Sequence, residues 1–209
     1  MILVGQYDSP FVRRVAITLQ LYGMPFKRNA ISVFGDAAEM GRINPLVRIP
    51  SLVLDDGEVL VESGAILDFL DERAGSACAL TPRSGSERRH TLQVMAVATG
   101  TIDKAGAVVY ERHFHTAAAV NKEWVMRLKG QVAGGLVWLE GRLGGDWFFG
   151  DKVSQADITA GVLLGYLHLR LPEALDDGAY PRLEALSKRC EASPAFVVAR
   201  PSPDEVMPG

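Results

Sequence analysis

Three short segments in the first third of the chain hold residue types that could do chemistry together. The first is Tyr7-Asp8-Ser9-Pro10-Phe11-Val12-Arg13-Arg14. Serine followed by proline is a favoured pair at the N-cap and first turn of a helix, so Ser9 reads as a cap. The same place presents unpaired N–H groups and positive potential, which stabilises an anion, a thiolate included. The second is Asn44-Pro45-Leu46-Val47-Arg48-Ile49-Pro50-Ser51-Leu52. Pro50 reads either as punctuation ahead of a strand or as a cis-proline turn that exposes the Ile49 backbone to a peptide-like ligand. The third is Val61-Glu62-Ser63-Gly64-Ala65-Ile66. Ser63 reads as a second N-cap with Glu62 ahead of it. It also reads as a site for the charged end of an amino acid, with the helix N-terminus and Ser63 taking the carboxylate and Glu62 the ammonium.

The elements around these segments follow from hydrophobic periodicity. Ile2-Leu3-Val4 is a short buried-strand pattern. Val12, Val15, Ala16 and Leu19 fall at i, i+3, i+4 and i+7, the stripe of an amphipathic helix, which Gly23-Met24-Pro25 ends. Phe26 to Ile31 reads as a strand and Asp36–Ile43 as a short helix. Ser51-Leu52-Val53-Leu54 and Val59-Leu60-Val61 flank Asp55-Asp56-Gly57-Glu58, the signature of an antiparallel hairpin. Ile66, Phe69, Leu70 and Ala74 mark another helix. The order is β-α-β-α-β-β-α over residues 1–75, followed by a linker at 76–86.

From there to residue 209 the pattern is all-helical: about Glu87 to His115, Asn121 to Leu143, Gln155 to Leu171 and Pro181 to Glu191. The fold class is therefore α/β plus all-α. Ser154-Gln155-Ala156-Asp157 has capping-box spacing. The helix it opens is apolar nearly all round and belongs in a core. The tail from Pro201 is proline-rich and is expected to be loose.

Composition narrows the function classes. The 209 residues carry 48% hydrophobic and 22% charged residues with a net charge of −3. Before Gly75 there are 7 basic and 10 acidic residues, and after it 15 of each. Neither part has the basic excess of a nucleic-acid binder. No apolar run approaches a membrane span, and the N-terminus lacks the pattern of a signal peptide. Cys78 and Cys190 form no C-x-x-C pair. His113 and His115 fall on different helix faces, so no metal site is expected. The expected location is the cytoplasm, with neither nucleic acid nor membrane as partner.

Taken together, the order and spacing of these segments resemble the glutathione S-transferase superfamily over nearly the whole chain. Ser9-Pro10-Phe11-Val12-Arg13-Arg14-Val15 resembles the first-helix motif of bacterial members. Asn44-Pro45 through Ile49-Pro50-Ser51-Leu52 is similar to the N-P-x-x-x-[VI]-P-x-L segment. Glu62-Ser63-x-Ala65-Ile66 is similar to E-S-x-A-I. Val153-Ser154-x-Ala156-Asp157-Ile158 is similar to the capping box of the helical domain. The resemblance implies a thioredoxin-like N-terminal domain and a C-terminal helical bundle. It also implies glutathione as co-substrate without a metal, a small electrophile as second substrate, and a homodimer.

The resemblance further implies roles. Ser9 would donate a hydrogen bond to the glutathione thiolate, and Ile49 would pair through its backbone with the cysteinyl unit. Glu62 and Ser63 would hold the γ-glutamyl end, and Arg48 would reach the glycyl carboxylate. Phe11 joins the glutathione-binding set and also lies among the aromatic candidates for the electrophile pocket, with Phe34, Tyr110, His113 and Phe114. Asp103 is either a γ-glutamyl contact, from a partner subunit, or a solvated helix charge. Tyr7 is the alternative thiolate donor, ranked behind Ser9. With serine and valine where glutaredoxin-like members carry C-P-[FY]-C, the segment has no thiol of its own for disulfide exchange. The implied activity is glutathione transfer to an electrophile. The alternatives are a glutathione-dependent isomerase and a non-catalytic regulatory protein of the stringent-starvation type.

Overall fold

A computed structural model describes residues 1–175 and 178–205. The described elements are β1 (Ile2–Val4), α1 (Pro10–Leu21), β2 (Lys27–Asn29), α2 (Ala37–Ile43), β3 (Ser51–Val53), β4 (Val59–Val61) and α3 (Ser63–Ala74). They continue with α4 (Gly85–Phe114), α5 (Lys122–Glu140), α6 (Gln155–Arg170), α7 (Pro181–Ala192) and α8 (Pro194–Val198). The chain divides into two compact units. Among the described residues, one holds Met1–Arg83 together with Ala192–Glu205, and the other holds Ser84–Glu191.

The first unit is a four-stranded sheet in the order β2-β1-β3-β4. β1 and β2 are parallel, with α1 as the crossover, and β3 pairs antiparallel with both β1 and β4. Leu3 and Leu52 are register partners and both are fully buried. Side chains alternate along a strand, so Val4 and Val53 point to the opposite face. There they meet Met40 of α2 with Ile31, Val33, Ile43, Val47 and Ile49. α1 and α3 pack on each other, and also on β1 and on β3 and β4 respectively. The β3–β4 turn closes through Leu54 N–H to the Glu58 carbonyl at 2.8 Å, with Gly57 at φ 92°.

One expectation is corrected here. The tail is not loose through Glu205. Buried Arg13 of α1 donates from Nε to the Ala199 carbonyl at 3.0 Å and from Nη2 to the Phe196 carbonyl at 3.4 Å, which docks the end of α8. A 3-10 turn at Pro203–Glu205 then places the Glu205 carboxylate on the Tyr7 N–H. The segment Ala192–Glu205 groups with the first unit, beside an expected helical domain over 87–209. Residues 206–209 of that expectation lie outside the described residues. Between α3 and α4, Leu80 N–H donates to the Tyr22 hydroxyl at 2.7 Å and to Asp71 at 3.1 Å, and Tyr22 donates to Asp71. Burial, aided by the Asp71 bond, pushes the Tyr22 phenol well above its ordinary value.

In the second unit α4 packs against both α5 and α6. α6 is buried from Gln155 to Leu164, matching its apolar pattern. The α4–α5 contact depends on a glycine: a Cβ on Gly135 would lie 2.0 Å from Thr101 Oγ1 and 3.2 Å from its Cβ. Thr101 is 3% exposed and donates to the Val97 carbonyl at 2.8 Å, so it has little room to yield. Gly135→Ala is expected to cost about 1–3 kcal/mol of stability by overpacking, measurable by urea unfolding.

A charged triad ties the short turn Pro172–Ala174 to two helices. Glu173 lies 2.6 Å from Arg112 of α4 and 3.1 Å from Lys129 of α5. Partial burial opposes its charge, yet the two cations prevail and hold the carboxyl down to about 2. A depressed folded value means stability present above the unfolded carboxylate range and lost as pH falls toward 2. Because the groups are about two-fifths exposed, solvent screens them, and Glu173→Gln should cost about 0.5 kcal/mol at pH 7. That difference should vanish in thermal melts near pH 2.

Candidate functional site

Strand register is what gathers the three segments. Val4 pairs with Asn29 and Ser51, and Ser51 pairs with Val61. These four residues form one row across the sheet. The chain leaves β1 toward Ser9, leaves β2 toward Phe34, enters β3 from Ile49-Pro50 and leaves β4 at Glu62, all at that same end. Gly5, at φ 131°, is the close-packing point. A Cβ there would lie 2.6 Å from Val12 Cγ2 and 2.9 Å from Ile49 Cβ, so α1 and the proline turn meet over it.

Ser9 is the N-cap of α1 in an extended conformation (φ −74°, ψ 117°). Its Oγ accepts from Val12 N–H at 3.5 Å, the long limit of a hydrogen bond, and the residue is half-buried. The capping role therefore leaves the hydroxyl proton uncommitted to the helix. Tyr7, the alternative donor, is 5% exposed under the Arg28 guanidinium, which lies 3.5 Å from its ring centre. Burial raises its phenol pKa despite the nearby arginine. Tyr7 packs in the interior, whereas Ser9 is half-buried. Half-buried Phe11 lies two residues on, with Arg14 Cζ 5.9 Å from its ring.

The Ile49–Pro50 peptide bond is cis. Asn44, 2% exposed, organises the turn. Its Nδ2 donates to the Arg48 carbonyl at 2.8 Å, and its Oδ1 accepts from Leu46 N–H at 3.0 Å. Val47 is held at φ 51°, a region costly for a β-branched residue. Among the described residues the Ile49 backbone takes no hydrogen bond from the chain. The Arg48 side chain is exposed and forms no ion pair among the described residues.

At the start of α3 the structure differs from the expected cap. Glu62, not Ser63, is the N-cap, at φ 71° and ψ 123°, and its Oε2 accepts from Gly64 N–H at 3.0 Å. Ser63 is the first helical residue and is fully buried. Its hydroxyl donates to Glu62 Oε1 at 3.2 Å and accepts from Arg14 Nη2 at 2.7 Å. Buried Arg14 turns the serine inward, so the longer glutamate takes over capping. The result is a line from α1 to α3, Arg14–Ser63–Glu62, which ends on an exposed carboxylate at a helix N-terminus.

Sequence reasoning assigned no role to Asn44, Arg13, Arg14 or Glu205. The N-P pair was a usable signal for Asn44, since asparagine commonly closes such turns. Nothing local marks Arg13 and Arg14 as buried.

In the helical unit Tyr110, His113 and Phe114 lie together on the last turns of α4. The Phe114 ring centre is 6.0 Å from Tyr110 and 4.8 Å, edge-on, from His113. Tyr110 and Phe114 are 46% and 56% exposed, so these aromatics are not core. Phe34 in the first unit is 48% exposed. Asp103 is an exposed residue of α4. Among the described residues there is no cluster of three or more His, Cys, Asp or Glu suited to a metal. No described helix is long and apolar enough to cross a membrane.

A 2-1-3-4 mixed sheet with a cis-proline before β3 defines a thioredoxin-like domain, here joined to an all-helical one. The family models for the glutathione S-transferase N-terminal and C-terminal domains match residues 3–79 and 117–189. The uncharacterized GST-like protein YibF of Escherichia coli (strain K12) is 31% identical over 81% of this chain and 83% of its own. Maleylacetoacetate isomerase of Pseudomonas aeruginosa is 29% identical over 97% and 96%. The glutathione S-transferase of Methylobacterium radiotolerans JCM 2831, solved in complex with glutathione sulfonate, superposes with a TM-score of 0.89. It is 32% identical, over 96% of this chain and 94% of that one. The chain belongs to the glutathione S-transferase family.

Proposed function

We propose that this protein is a cytoplasmic, homodimeric glutathione transferase that activates the thiol of bound glutathione through Ser9 for attack on a small hydrophobic electrophile. The observation that carries this reading is the convergence of Ser9, the Ile49–Pro50 turn and Glu62 at one end of the sheet. The Ile49 backbone pairs with the cysteinyl unit, which sets the sulfur toward Ser9. Glu62 meets the γ-glutamyl ammonium. Ser63 takes the carboxylate by exchanging its bond to Glu62 for one to the ligand. Arg48 takes the glycyl carboxylate, Phe11 packs beside the tripeptide, and Asp103 of a partner subunit approaches the γ-glutamyl end. Phe34, Tyr110, His113 and Phe114 are the aromatic candidates for contact with the electrophile, and no metal takes part.

The thiol arithmetic is modest. A free cysteine thiol has a pKa near ~8.5, and lowering it by ~2 units takes ~2.7 kcal/mol. One hydrogen bond to a charged acceptor supplies about 1.5–3 kcal/mol, and a helix terminus adds about 0.3–1.

A second reading is favoured by the full-length likeness to an isomerase. In it the thiolate adds to a conjugated cis double bond, rotation follows, and the thiolate leaves with glutathione regenerated. Both readings use Ser9 alike and differ in the electrophile. Calorimetric titration with glutathione, followed by turnover with a chlorodinitrobenzene and with a cis-conjugated diketo acid, separates them. No glutathione binding by the wild-type protein would sink both.

A further inference from the structure

From the contacts of the C-terminal segment we infer that it is a strap which positions Ser9, with Glu205 as the positioning residue; this rests on the thiolate-activating reading of Ser9. Among the described residues, the loop from Gly5 to Ser9 has at least three fixed backbone donors. Gly5 N–H goes to the Asn29 carbonyl at 2.8 Å and Ser9 N–H to the Gln6 carbonyl at 3.2 Å. The third, Tyr7 N–H, goes to Glu205 Oε2 at 2.9 Å, across 198 positions of sequence. The first two bonds come from the sheet and from the loop itself. Glu205 ties the middle of the loop to an element outside it.

The bond is built rather than incidental. The Glu205 side chain is 10% exposed and also pairs with Arg28 of β2. The Arg28 guanidinium in turn covers the Tyr7 ring. Asp204, in the same turn as Glu205, is the other acidic group near Arg28, and its carboxyl is held low chiefly by a bond from Ser202. The strap is anchored a second time at α8, where Arg13 reads the Ala199 and Phe196 carbonyls. Arg13 lies four residues after Ser9 and accepts no slack from it, since Arg13 N–H bonds the Ser9 carbonyl at 2.9 Å. The loop is thus clamped on both sides of the hydroxyl.

Without the Glu205 carboxylate, Tyr7 N–H loses its partner, and the loop must shift to find another acceptor or water. Hydrogen bonds weaken steeply with misalignment, so a shift of a few tenths of an ångström at Ser9 removes much of its hold on a thiolate. The glycyl and γ-glutamyl contacts sit on other loops and are untouched. The signature is a loss in turnover with little loss in glutathione affinity.

The test uses the full-length protein with glutathione and a chlorodinitrobenzene. Glu205→Ala is expected to lower kcat/KM for the electrophile about 5- to 10-fold and to move the acidic limb of its pH profile up by about half a unit, with the glutathione Kd changed less than about twofold. Glu205→Gln keeps an acceptor for Tyr7 N–H and should restore activity to within about threefold of wild type. If the alanine variant does not fold, Glu205→Met, which keeps the side-chain length but offers Tyr7 N–H no oxygen acceptor, carries the same comparison of pH limb against Kd. In a Ser9→Ala background, Glu205→Ala should add no further loss, because it acts through Ser9. A full additional loss in that background, an unshifted pH limb, or parallel losses in turnover and affinity would overturn the inference. Wild-type turnover with an indifferent Glu205→Ala overturns the strap alone; absent glutathione binding by wild type overturns the strap and the function together.

Discussion

Replacing Ser9 with alanine is expected to raise the pKa of enzyme-bound glutathione by about 1–2 units, the equivalent of one hydrogen bond to a charged acceptor. The effect on turnover depends on pH, and its size follows from two opposed terms. At a pH below both pKa values the thiolate fraction falls by about 10- to 100-fold. The thiolate that remains is more basic and so more nucleophilic, with a Brønsted slope near about 0.4–0.5, which returns roughly half of the loss on a logarithmic scale. The net expectation is a drop of about 3- to 10-fold from ionisation alone near pH 5.5, shrinking through neutral pH and vanishing at high pH, plus whatever orientation Ser9 provides. Ser9 is also the N-cap of α1, and loss of a cap alone could disturb the site. Ser9→Gly separates the two roles. Glycine costs only a few tenths of a kcal/mol as an N-cap, so the helix start persists while the hydroxyl is gone. If Ser9 activates the thiol, the glycine and alanine variants share the same upward shift of the pH–rate limb. A glycine variant with the wild-type pH profile would reduce Ser9 to a cap and move the thiolate to the backbone N–H groups of α1.

The legible and illegible parts of this molecule divide along physical lines. The order of elements in the first unit was readable because each short strand and amphipathic stripe declares its own period, as Ile2–Val4 and Val12–Leu19 do. The cis-proline turn was readable as one of two alternatives, and the structure adopts it. Convergence of the three segments was readable only through resemblance, since it rests on the register of Val4, Ser51 and Val61. The cap of α3 was misassigned for a tertiary reason. Serine is the better intrinsic cap, but buried Arg14 captures its hydroxyl and leaves the task to Glu62. Arg13 and Arg14 are adjacent charges on a helix, which in isolation suggest solvent. Their burial follows from what lies far along the chain, the Ala199 carbonyl for one and Ser63 for the other. Glu205 is the extreme case. A proline-rich terminus ordinarily has nothing to bind it down, and no local pattern reveals that Tyr7 N–H awaits an acceptor. How Ser9 is held was the hardest part to read because its loop is fastened by the residue most distant in sequence.

Asp157→Ala is expected to cost about 3–5 kcal/mol of folding stability, the largest single loss in the helical unit, because it strands donors that have no other acceptor. The carboxylate is fully buried and accepts three hydrogen bonds. These come from Phe148 N–H at 2.7 Å, Ser154 N–H at 2.8 Å and Ser154 Oγ at 2.6 Å. The serine hydroxyl can rotate toward another partner, but the two backbone N–H groups cannot, and each buried unsatisfied donor costs about 1–3 kcal/mol. Asp157→Asn keeps the shape and one acceptor. It also places an NH2 group against at least one of those N–H donors, so about 2 kcal/mol is expected. Urea unfolding followed by tryptophan fluorescence measures both variants, and near-wild-type stability in the alanine variant would show that the 147–154 loop finds water instead. The pH dependence has a definite sign. Burial raises this carboxyl above its ordinary value, with the Ser154 and Phe148 bonds opposing. A raised folded value means that the folded state holds its proton more tightly than the unfolded chain does, so this ionisation favours folding as pH falls. Acid lability of the helical unit therefore does not originate at the capping box. Glu173, whose carboxyl is held down to about 2 by Arg112 and Lys129 against partial burial, acts in the opposite direction. Comparing the two variants across pH 3 to 7 tests the assignment: the penalty of Asp157→Ala should persist at pH 5, where the three donors still need their acceptor, while the smaller penalty of Glu173→Gln fades toward the acid end.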